Sequence, residues 1–368
     1  MATSVARAIH LVSSTVAPET APKALAPTEA PAPESTSIPE RTGAELIRAS
    51  SAFEGESRFT TWRLLTTTVA VQALLVWVII ALDWWPAKAL AAIVMGLVQV
   101  RLFIFYHDAL HGAIFRNSTI GHALMWVIGF YVVAVRSVWK ETHDYHHQNN
   151  AKLVGSAVGS FPVLSVGMRE RVTPAQLRAY RLARHPLTIF FGYITVFLIG
   201  MTIPPFRRDP RRHWAAPLAA VFHIAWFVGL GLTLGWLDSF FLVVVAGFVA
   251  MAAGAYLFYA QHNFPGMRLR GRRDWNHAFA ALHSSSMFDM SRMMHWFTGN
   301  IGYHHVHHLN HRIPFYRLPE AMQAMPELHR PVRTSWRLRD IRACLSMYLW
   351  DPEQDRMLTY AEARARGL

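Results

Sequence analysis

The chain has 368 residues, of which 52% are hydrophobic and 16% are charged, and its 36 Lys and Arg outnumber its 23 Asp and Glu. Long uncharged runs dominate the sequence, so the composition predicts a membrane protein rather than a water-soluble one. The basic excess does not indicate a nucleic-acid partner, because the arginines cluster beside the apolar runs, as they do in the positively charged loops of membrane proteins.

The chain begins with a region unsuited to a folded core. Residues 1–57 are rich in Ala, Pro, Ser, Thr and Glu, and such a composition does not bury enough apolar surface to fold. We therefore predict three regions. They are a disordered Ala/Pro-rich N-terminal tail at 1–57, a membrane domain at 58–330, and a cytosolic, helical C-terminal tail at 331–368.

Two pairs of long apolar segments follow the tail. The first pair is 62–83 and 87–106, the second is 214–236 and 239–260, and a turn of a few residues joins each pair. A helix needs roughly 20 apolar residues to cross the hydrocarbon core of a bilayer. The sequence therefore predicts four transmembrane helices, arranged as two hairpins.

Two shorter apolar stretches, 122–138 and 187–205, do not fit this rule clearly. If either one crossed the bilayer, the histidine-rich segments of the chain would lie on opposite sides and could not meet at one site. We predict that both stretches are interfacial or re-entrant. All the histidine-rich segments and the two arginine clusters, at 207–212 and 268–273, then lie on one face, which the positive charge marks as cytosolic.

Three histidine clusters carry the chemistry. One has two histidines four residues apart, and the other two contain the pattern H-x-x-H-H. Spacings of three and four place side chains on one face of a helix, where imidazoles can converge on a metal. A single such pair more often consists of solvent-exposed polar side chains or forms a pH-responsive surface. Three clusters on one predicted face, however, indicate a metal site. The clustered residues are His107, His111, His143, His146, His147, His304, His307 and His308.

The number of imidazoles indicates two metal ions. Eight histidines exceed the about six ligands of iron and the about four of zinc, and the single cysteine, Cys344, excludes a thiolate site of the usual kind. Imidazole binds iron, zinc and copper alike. The lipid setting and the lack of an obvious nucleophile or acid–base constellation favour oxygen chemistry, and hence iron.

Four further residues are candidates near this site. His262 follows the fourth apolar segment and is placed to act as a ninth ligand, although a histidine at a membrane interface can also be purely structural. Asp108, Asp144 and Asp289 are candidates to accept a hydrogen bond from the second ring nitrogen of a ligand histidine, which would fix its tautomer. Solvated carboxylates are the alternative for each.

At these residues the sequence resembles the membrane fatty acid desaturase family, particularly its bacterial branch. The resemblance runs from about residue 60 to 325. It is carried by the motifs HDALH at 107–111 and HDYHH at 143–147, and by TGNIGYHHVHHL at 298–309 followed by IPFYRLP at 313–319. The long third motif is the specific one.

The resemblance implies an all-α membrane protein, with four transmembrane helices, interfacial or re-entrant helices, and a cytosolic helical cap that carries the histidine motifs. It also implies two iron ions, cycling between Fe²⁺ and Fe³⁺, held by the eight clustered histidines and His262. Such enzymes use O₂ and two external electrons to introduce a cis double bond into a fatty acyl chain, which is linked to lipid, CoA or a carrier protein.

The resemblance also places the protein in its surroundings. It implies a multi-pass protein of the bacterial inner membrane with its active site on the cytosolic face. No His-Pro-Gly-Gly motif of a fused cytochrome b5 is present, so electrons must come from a separate donor such as a ferredoxin or its reductase. Ala109 and Leu110 replace the Cys-Gly of many plant-type enzymes, so the chain is not assigned to that subgroup.

A narrow apolar channel is expected to bring the acyl chain to the irons. Candidates to line it, for each of which core or interface packing is the alternative, are Trp126, Trp139, Phe258, Tyr259, Trp296 and Phe297.

Two other functions remain open from the sequence. A related di-iron hydroxylase or ketolase, acting on alkanes or carotenoids, would share the metal site, although the motif at 313–319 favours a desaturase. A metal transporter or sensor is the second alternative. Its ligands would lie near the middle of the membrane, whereas these clusters lie at helix ends and in loops.

Overall fold

The computed structural model describes residues 41–368. Residues 1–40 of the predicted N-terminal tail lie outside this range. Within it the fold is predominantly helical, as the sequence predicts, and two small β-sheets accompany the helices.

The membrane part consists of four helices that are long and apolar enough, within residues 41–368, to cross a bilayer. They lie close to the predicted segments, and the prediction of four such helices is confirmed. The last one contains a π-helical stretch at Phe240–Val245. The helices are α2 (Arg58–Ala81), α3 (Trp85–Leu110), α10 (Ala215–Leu234) and α11 (Trp236–His262).

The two helical hairpins have the same orientation. Lys88, at the start of α3, forms a partly buried ion pair with Asp238, at the start of α11, so the turns of both hairpins lie at one end of the bundle. Helices α3 and α11 pack against each other, and Gly96 permits a close approach, because a Cβ atom there would lie 2.5 Å from the carbonyl oxygen of Ala246. The histidine-rich ends of α3 and α11 therefore lie together at the opposite end.

Neither of the shorter apolar stretches forms one straight spanning helix. The first is divided between α4 (Thr119–Tyr131) and α5 (Arg136–Asn149), which meet at 93°. The segment formed by α4 and α5 starts near the end of α3 and returns to it, because His143 on α5 contacts His107 on α3. This return supports the re-entrant interpretation. The second stretch breaks into α8 (Pro186–Phe190) and a π-helical segment at Tyr193–Gly200.

Part of the predicted N-terminal tail is folded, so the prediction of disorder is wrong for residues 41–57. Helix α1 (Gly43–Ser50) begins with a capping box at Thr42 and buries Leu46. Its end is held where the side chain of Asn310 donates to the Ser50 hydroxyl and to Glu54, both at 3.0 Å. The Ala/Pro-rich composition of the whole tail conceals this short amphipathic segment.

The C-terminal region is also not the purely helical tail that the sequence predicts. It contains α16 (Leu338–Ser346) and α17 (Tyr360–Ala365), but also three strands. These complete a three-stranded sheet of order β1-β4-β5, in which β1 is parallel and β5 antiparallel to β4, and a parallel β2-β3 pair. The strands are β1 (Leu164–Ser165), β2 (Met287–Asp289), β3 (Arg333–Ser335), β4 (Met347–Asp351) and β5 (Arg356–Thr359).

Short helices make up the rest of the cap around the ends of α3 and α11. A continuous hydrophobic core joins this cap to the bundle, with Phe105, Tyr259, Val306 and Phe315 fully buried. The cap is therefore fixed to the helix ends that carry the histidines. Its remaining helices are α6 (Val166–Arg171), α7 (Pro174–Ala183), α9 (Ile203–Arg208), α12 (His277–Ser284), α13 (Arg292–Phe297), α14 (His304–Leu309) and α15 (Leu318–Ala324).

Candidate metal centre

The first histidine motif lies where α3 ends. His107 is in the last turn of the helix, and His111 follows as its C-cap. Gly112 ends the helix with φ +68°, a left-handed conformation that costs glycine little. The two imidazole rings lie 4.6 Å apart, centre to centre.

Five imidazoles form a first group, in which one nitrogen of each ring lies within 4.8 Å of one nitrogen of every other ring. The Nε2 atom of His143 lies 2.9 Å from that of His107 and 3.1 Å from that of His147. The Nε2 atoms of His307 and His147 are also 3.1 Å apart. We call this set the five-imidazole group: His107, His111, His143, His147 and His307.

Four imidazoles form a second group. His262, at the end of α11, lies at its centre, with its Nε2 atom 2.8 Å from that of His304 and 3.0 Å from that of His146. The Nε2 atoms of His146 and His308 are 3.3 Å apart. We call this set the four-imidazole group: His146, His262, His304 and His308.

Each H-x-x-H-H motif serves both groups. On α5, the first and last histidines of the motif, His143 and His147, belong to the five-imidazole group, and His146 belongs to the four-imidazole group. On α14 the first and last histidines belong instead to the four-imidazole group, and His307 belongs to the five-imidazole group. Side chains at i+3 and i+4 differ by about 100° around a helix, so they diverge toward two points. The groups remain adjacent, because the rings of His147 and His308 stack at 4.3 Å.

The site favours neutral imidazoles. Burial lowers the pKa of His111, His307 and His308 well below its ordinary value, and neighbouring imidazoles lower it further. A neutral imidazole offers one unprotonated nitrogen to a metal, so this electrostatic environment suits metal binding.

The hydrogen-bonding pattern tests whether the residues fit a metal. Among the residues that the structure describes, the buried Nε2 atom of His111 has no hydrogen-bond partner. The Nε2 atoms of neighbouring imidazoles approach one another. Converging nitrogens with few other partners fit two cations of a type that binds imidazole, such as iron, zinc or copper.

The three predicted carboxylates have different surroundings. Asp108 is buried, lies 3.0 Å from the Nδ1 atom of His107, and accepts a hydrogen bond from the backbone N–H of Phe315. Asp144 instead pairs with Lys140, and Asp289 with Arg333, both near the surface. The predicted role is therefore not supported for these two residues. The Nδ1 atom of His262 lies 3.1 Å from the carbonyl oxygen of Ser284. This backbone oxygen is placed to accept a hydrogen bond from the second ring nitrogen of His262, as Asp108 is for His107.

One histidine beside the site was not assigned a role from the sequence. The ring of His311 lies 4.6 Å from that of His111 and 5.0 Å from that of His147. Burial lowers the pKa of His311 to about 4. The signal available in the sequence was its position four residues after His307. His305, by contrast, turns away from both groups, and its Nε2 atom lies 3.1 Å from the carbonyl oxygen of Leu328.

An apolar cavity of about 1200 Å³ reaches both groups, with His107, His143 and His304 in its wall. Of the six aromatic residues predicted to line a channel, Trp139 and Phe258 do so. Trp139 stacks on His143 at 5.0 Å, and Phe258 lies 5.1 Å from His146. The other four are placed elsewhere in the fold: Trp126, Tyr259, Trp296 and Phe297.

The fold and the site define the class of the protein. It is a helical membrane protein whose buried imidazoles can hold two metal ions at the end of a large apolar cavity.

Comparisons with known proteins identify the family. The family profile described as "Fatty acid desaturase" matches residues 83–338. A fatty acid desaturase of Bacillus subtilis is 30% identical over 276 residues, which cover 74% of this chain and 77% of that protein. The sn-1 oleoyl-lipid 12-desaturase of Synechocystis is 25% identical, covering 73% of this chain and 78% of its own length. The chloroplastic omega-6 fatty acid desaturase of Spinacia oleracea is 21% identical, covering 71% and 58%.

The chain therefore belongs to the fatty acid desaturase family. It is an oxidoreductase that acts on fatty acyl chains, and the resemblance inferred from the histidine motifs is confirmed.

Proposed function

We propose that this protein introduces a cis double bond into a fatty acyl chain, using O₂ and two electrons from a separate donor. The single observation that carries the proposal is the apolar cavity, which ends at both imidazole groups. A saturated chain has few groups that a protein can hydrogen-bond, so its position must be fixed by the shape of the cavity that surrounds it.

The nine imidazoles of the two groups would hold two iron ions. When bound, such a di-iron centre supplies the activation of O₂ and the removal of hydrogen from unactivated methylenes. Two hydrogens from adjacent methylenes, with two external electrons and two protons, reduce O₂ to two molecules of water. The neutral, all-nitrogen ligand set supports a transition metal over magnesium or calcium, which prefer oxygen ligands.

The residues of this chain supply position and protection. Trp139 and Phe258 form the wall of the cavity beside the rings of His143 and His146. They would hold the reacting methylenes against the metal centre and keep bulk water away from it. Asp108 would orient the ring of His107 through its Nδ1 atom.

A basic surface near the four-imidazole group supports an acidic electron donor such as a ferredoxin. Arg272 and Arg273 are exposed, and the Lys152 ammonium lies 4.1 Å from the ring centre of Trp275. His277, two residues after Trp275, has its Nε2 atom 3.2 Å from the carbonyl oxygen of Leu309. Leu309 directly follows His308, so this basic surface is connected to a proposed ligand through one hydrogen-bond contact.

The charge distribution supports a location in a bacterial inner membrane with the site on the cytosolic side. The basic clusters at 207–212 and 268–273 belong to the histidine-rich end of the molecule, whereas the turns at the other end carry Lys88, which is already paired with Asp238. Cytoplasmic loops carry an excess of Lys and Arg.

The function is tested by expressing the chain in a host that lacks desaturase activity. We expect a new unsaturated fatty acid from the wild type and none from His308→Ala, whose iron content should also fall. His329→Ala is the matched control, because His329 is exposed and belongs to neither group. An alcohol or ketone product would instead identify a hydroxylase or ketolase, and equal fatty acid profiles with and without the chain would contradict the proposal.

A further inference from the structure

The segment that precedes the first spanning helix packs against the part of the chain that carries the histidine motifs. Residues 50–57, which we call the strap, join α1 to α2. The strap carries two carboxylates, Glu54 and Glu56, and both residues are partly buried. Each carboxylate forms a hydrogen bond next to a different histidine motif, so the strap is more than a connection between two helices.

Glu54 holds the end of α14. This helix ends at Asn310, its C-cap, two residues after His308. The side-chain amide of Asn310 donates to Glu54 and to the hydroxyl of Ser50, both at 3.0 Å, and Asn310 and Ser50 are buried. A buried donor that loses its partner costs more free energy than an exposed one. Because α14 supplies imidazoles to both groups, a contact that fixes its end acts on both.

Glu56 holds the turn that follows α3. Its carboxylate accepts a hydrogen bond of 2.9 Å from the backbone N–H of Phe115, four residues after His111. Phe115 is buried and has φ +55°, a left-handed conformation that is unfavourable for a bulky residue. The hydrogen bond therefore stabilises a strained turn directly after the first motif. That motif supplies His107 and His111, which both belong to the five-imidazole group.

The motif at 313–319 connects the strap to the metal centre. On one side, the hydroxyl of Tyr316 accepts a hydrogen bond of 2.9 Å from the backbone N–H of Ser57. On the other side, the backbone N–H of Phe315 donates to Asp108 at 2.7 Å. Asp108 is the carboxylate that contacts an imidazole of the five-imidazole group. The most specific motif of the sequence thus bridges the strap and the metal site.

We propose that Glu54 and Glu56 are positioning residues of the metal centre. Glu54 fixes α14 and so supports the binding of both ions, whereas Glu56 fixes the turn after α3 and so supports the binding of one. Ligands that are already held in place by their surroundings bind a metal more tightly than ligands that must first be ordered. This inference rests on the proposed two-metal centre and adds residues that no histidine motif contains.

The test measures metal binding and needs no turnover. The full-length, metal-loaded protein in detergent is titrated with a competing Fe²⁺ chelator under anaerobic conditions, and the release of each ion is followed. We expect Glu54→Ala to weaken the binding of both ions by about tenfold, the lower range for a residue that acts on a ligand without binding the metal. Glu56→Ala should weaken one ion by about tenfold and leave the other unchanged.

Conservative variants and a matched control separate this role from a general loss of stability. Glu54→Gln and Glu56→Gln should keep the wild-type release of both ions, because the amide oxygen accepts the same hydrogen bond. Glu45→Ala is the control, because Glu45 is an exposed carboxylate of α1 that bonds to Thr42. It should also release both ions as the wild type does, although it removes the capping box of α1.

Three results would overturn the proposal. They are wild-type release from Glu54→Ala, equal weakening of both ions by Glu56→Ala, and a loss in Glu45→Ala as large as that in Glu54→Ala. The desaturase proposal is tested separately. A protein that shows the expected pattern of release but forms no double bond would contradict desaturation and still support the positioning role. A protein that forms the double bond but shows one of the three results would contradict the positioning role alone.

Discussion

The two imidazole groups differ in size and in surroundings. The five-imidazole group draws its members from α3, α5 and α14 and has His311 against its edge. The four-imidazole group draws its members from α5, α11 and α14, and Phe258 of the cavity wall lies beside it. With about six positions on an octahedral metal, the smaller group leaves more of them open. The difference indicates that the two ions would not tolerate the loss of a ligand equally.

The largest effect is expected from His308→Ala, which leaves three imidazoles in the four-imidazole group. Activity should fall by more than the roughly 100-fold that marks the upper range for losing a residue that only orients a ligand. Metal analysis should find one ion per chain in the purified variant and two in the wild type. If the variant retained two ions, the two groups would not differ in their tolerance to the loss of an imidazole.

A smaller effect is expected from His111→Ala, because four imidazoles remain in the five-imidazole group. The variant should keep two ions, with desaturation reduced by about 100-fold. Titration with a chelator should release one ion more readily than from the wild type. If His111→Ala lost its ion as completely as His308→Ala does, the number of imidazoles would not explain the difference.

Replacing the carboxylate beside the five-imidazole group tests how its ligands are oriented. Asp108→Asn should lower metal affinity by about tenfold, the lower range for such a partner, because the amide is a weaker acceptor for the His107 ring. Asp144→Asn is the control, since Asp144 pairs with Lys140 near the surface. Metal affinity measured by competition should separate the two variants.

The smallest loss of rate is expected from Phe258→Ala, which widens the cavity beside the four-imidazole group without removing a ligand. The chain should then shift relative to the metal centre, giving a mixture of double-bond positions. The loss of activity should stay below the roughly 100-fold that a displacement of about 1 Å can cause. Gas chromatography of the products measures both effects. A single double-bond position, unchanged from the wild type, would show that Phe258 does not determine where the acyl chain stops in the cavity.

Much of the site could be predicted because its information is local. Spacings of three and four residues place His143, His146 and His147 on one side of a helix wherever that helix lies. The spacing did not show that the motif would divide between two groups, because this depends on the position of His262 on α11 and of His307 on α14. Nor did it separate Asp108 from Asp144. Both are next to a clustered histidine in the sequence, but only Asp108 contacts an imidazole in the structure.

The cap was predicted less well than the bundle. The strands Leu164–Ser165 and Met347–Asp351 pair although they lie far apart in the sequence, and two to five residues carry too little periodicity to reveal a strand. The helix Gly43–Ser50 was missed for a similar reason. It buries few apolar side chains, chiefly Leu46, and so short an apolar pattern does not stand out from the average composition of an Ala/Pro-rich region.

The sequence by itself determined the four spanning helices, the end of the bundle that carries the histidines, and the membership in a desaturase family, because apolar length and short-range spacing act independently of the rest of the fold. Only the tertiary structure decided which imidazoles share a group, which of the candidate carboxylates contacts one of them, and which residues line the apolar cavity. These features depend on how separate segments of the chain pack together, and no local pattern records that packing.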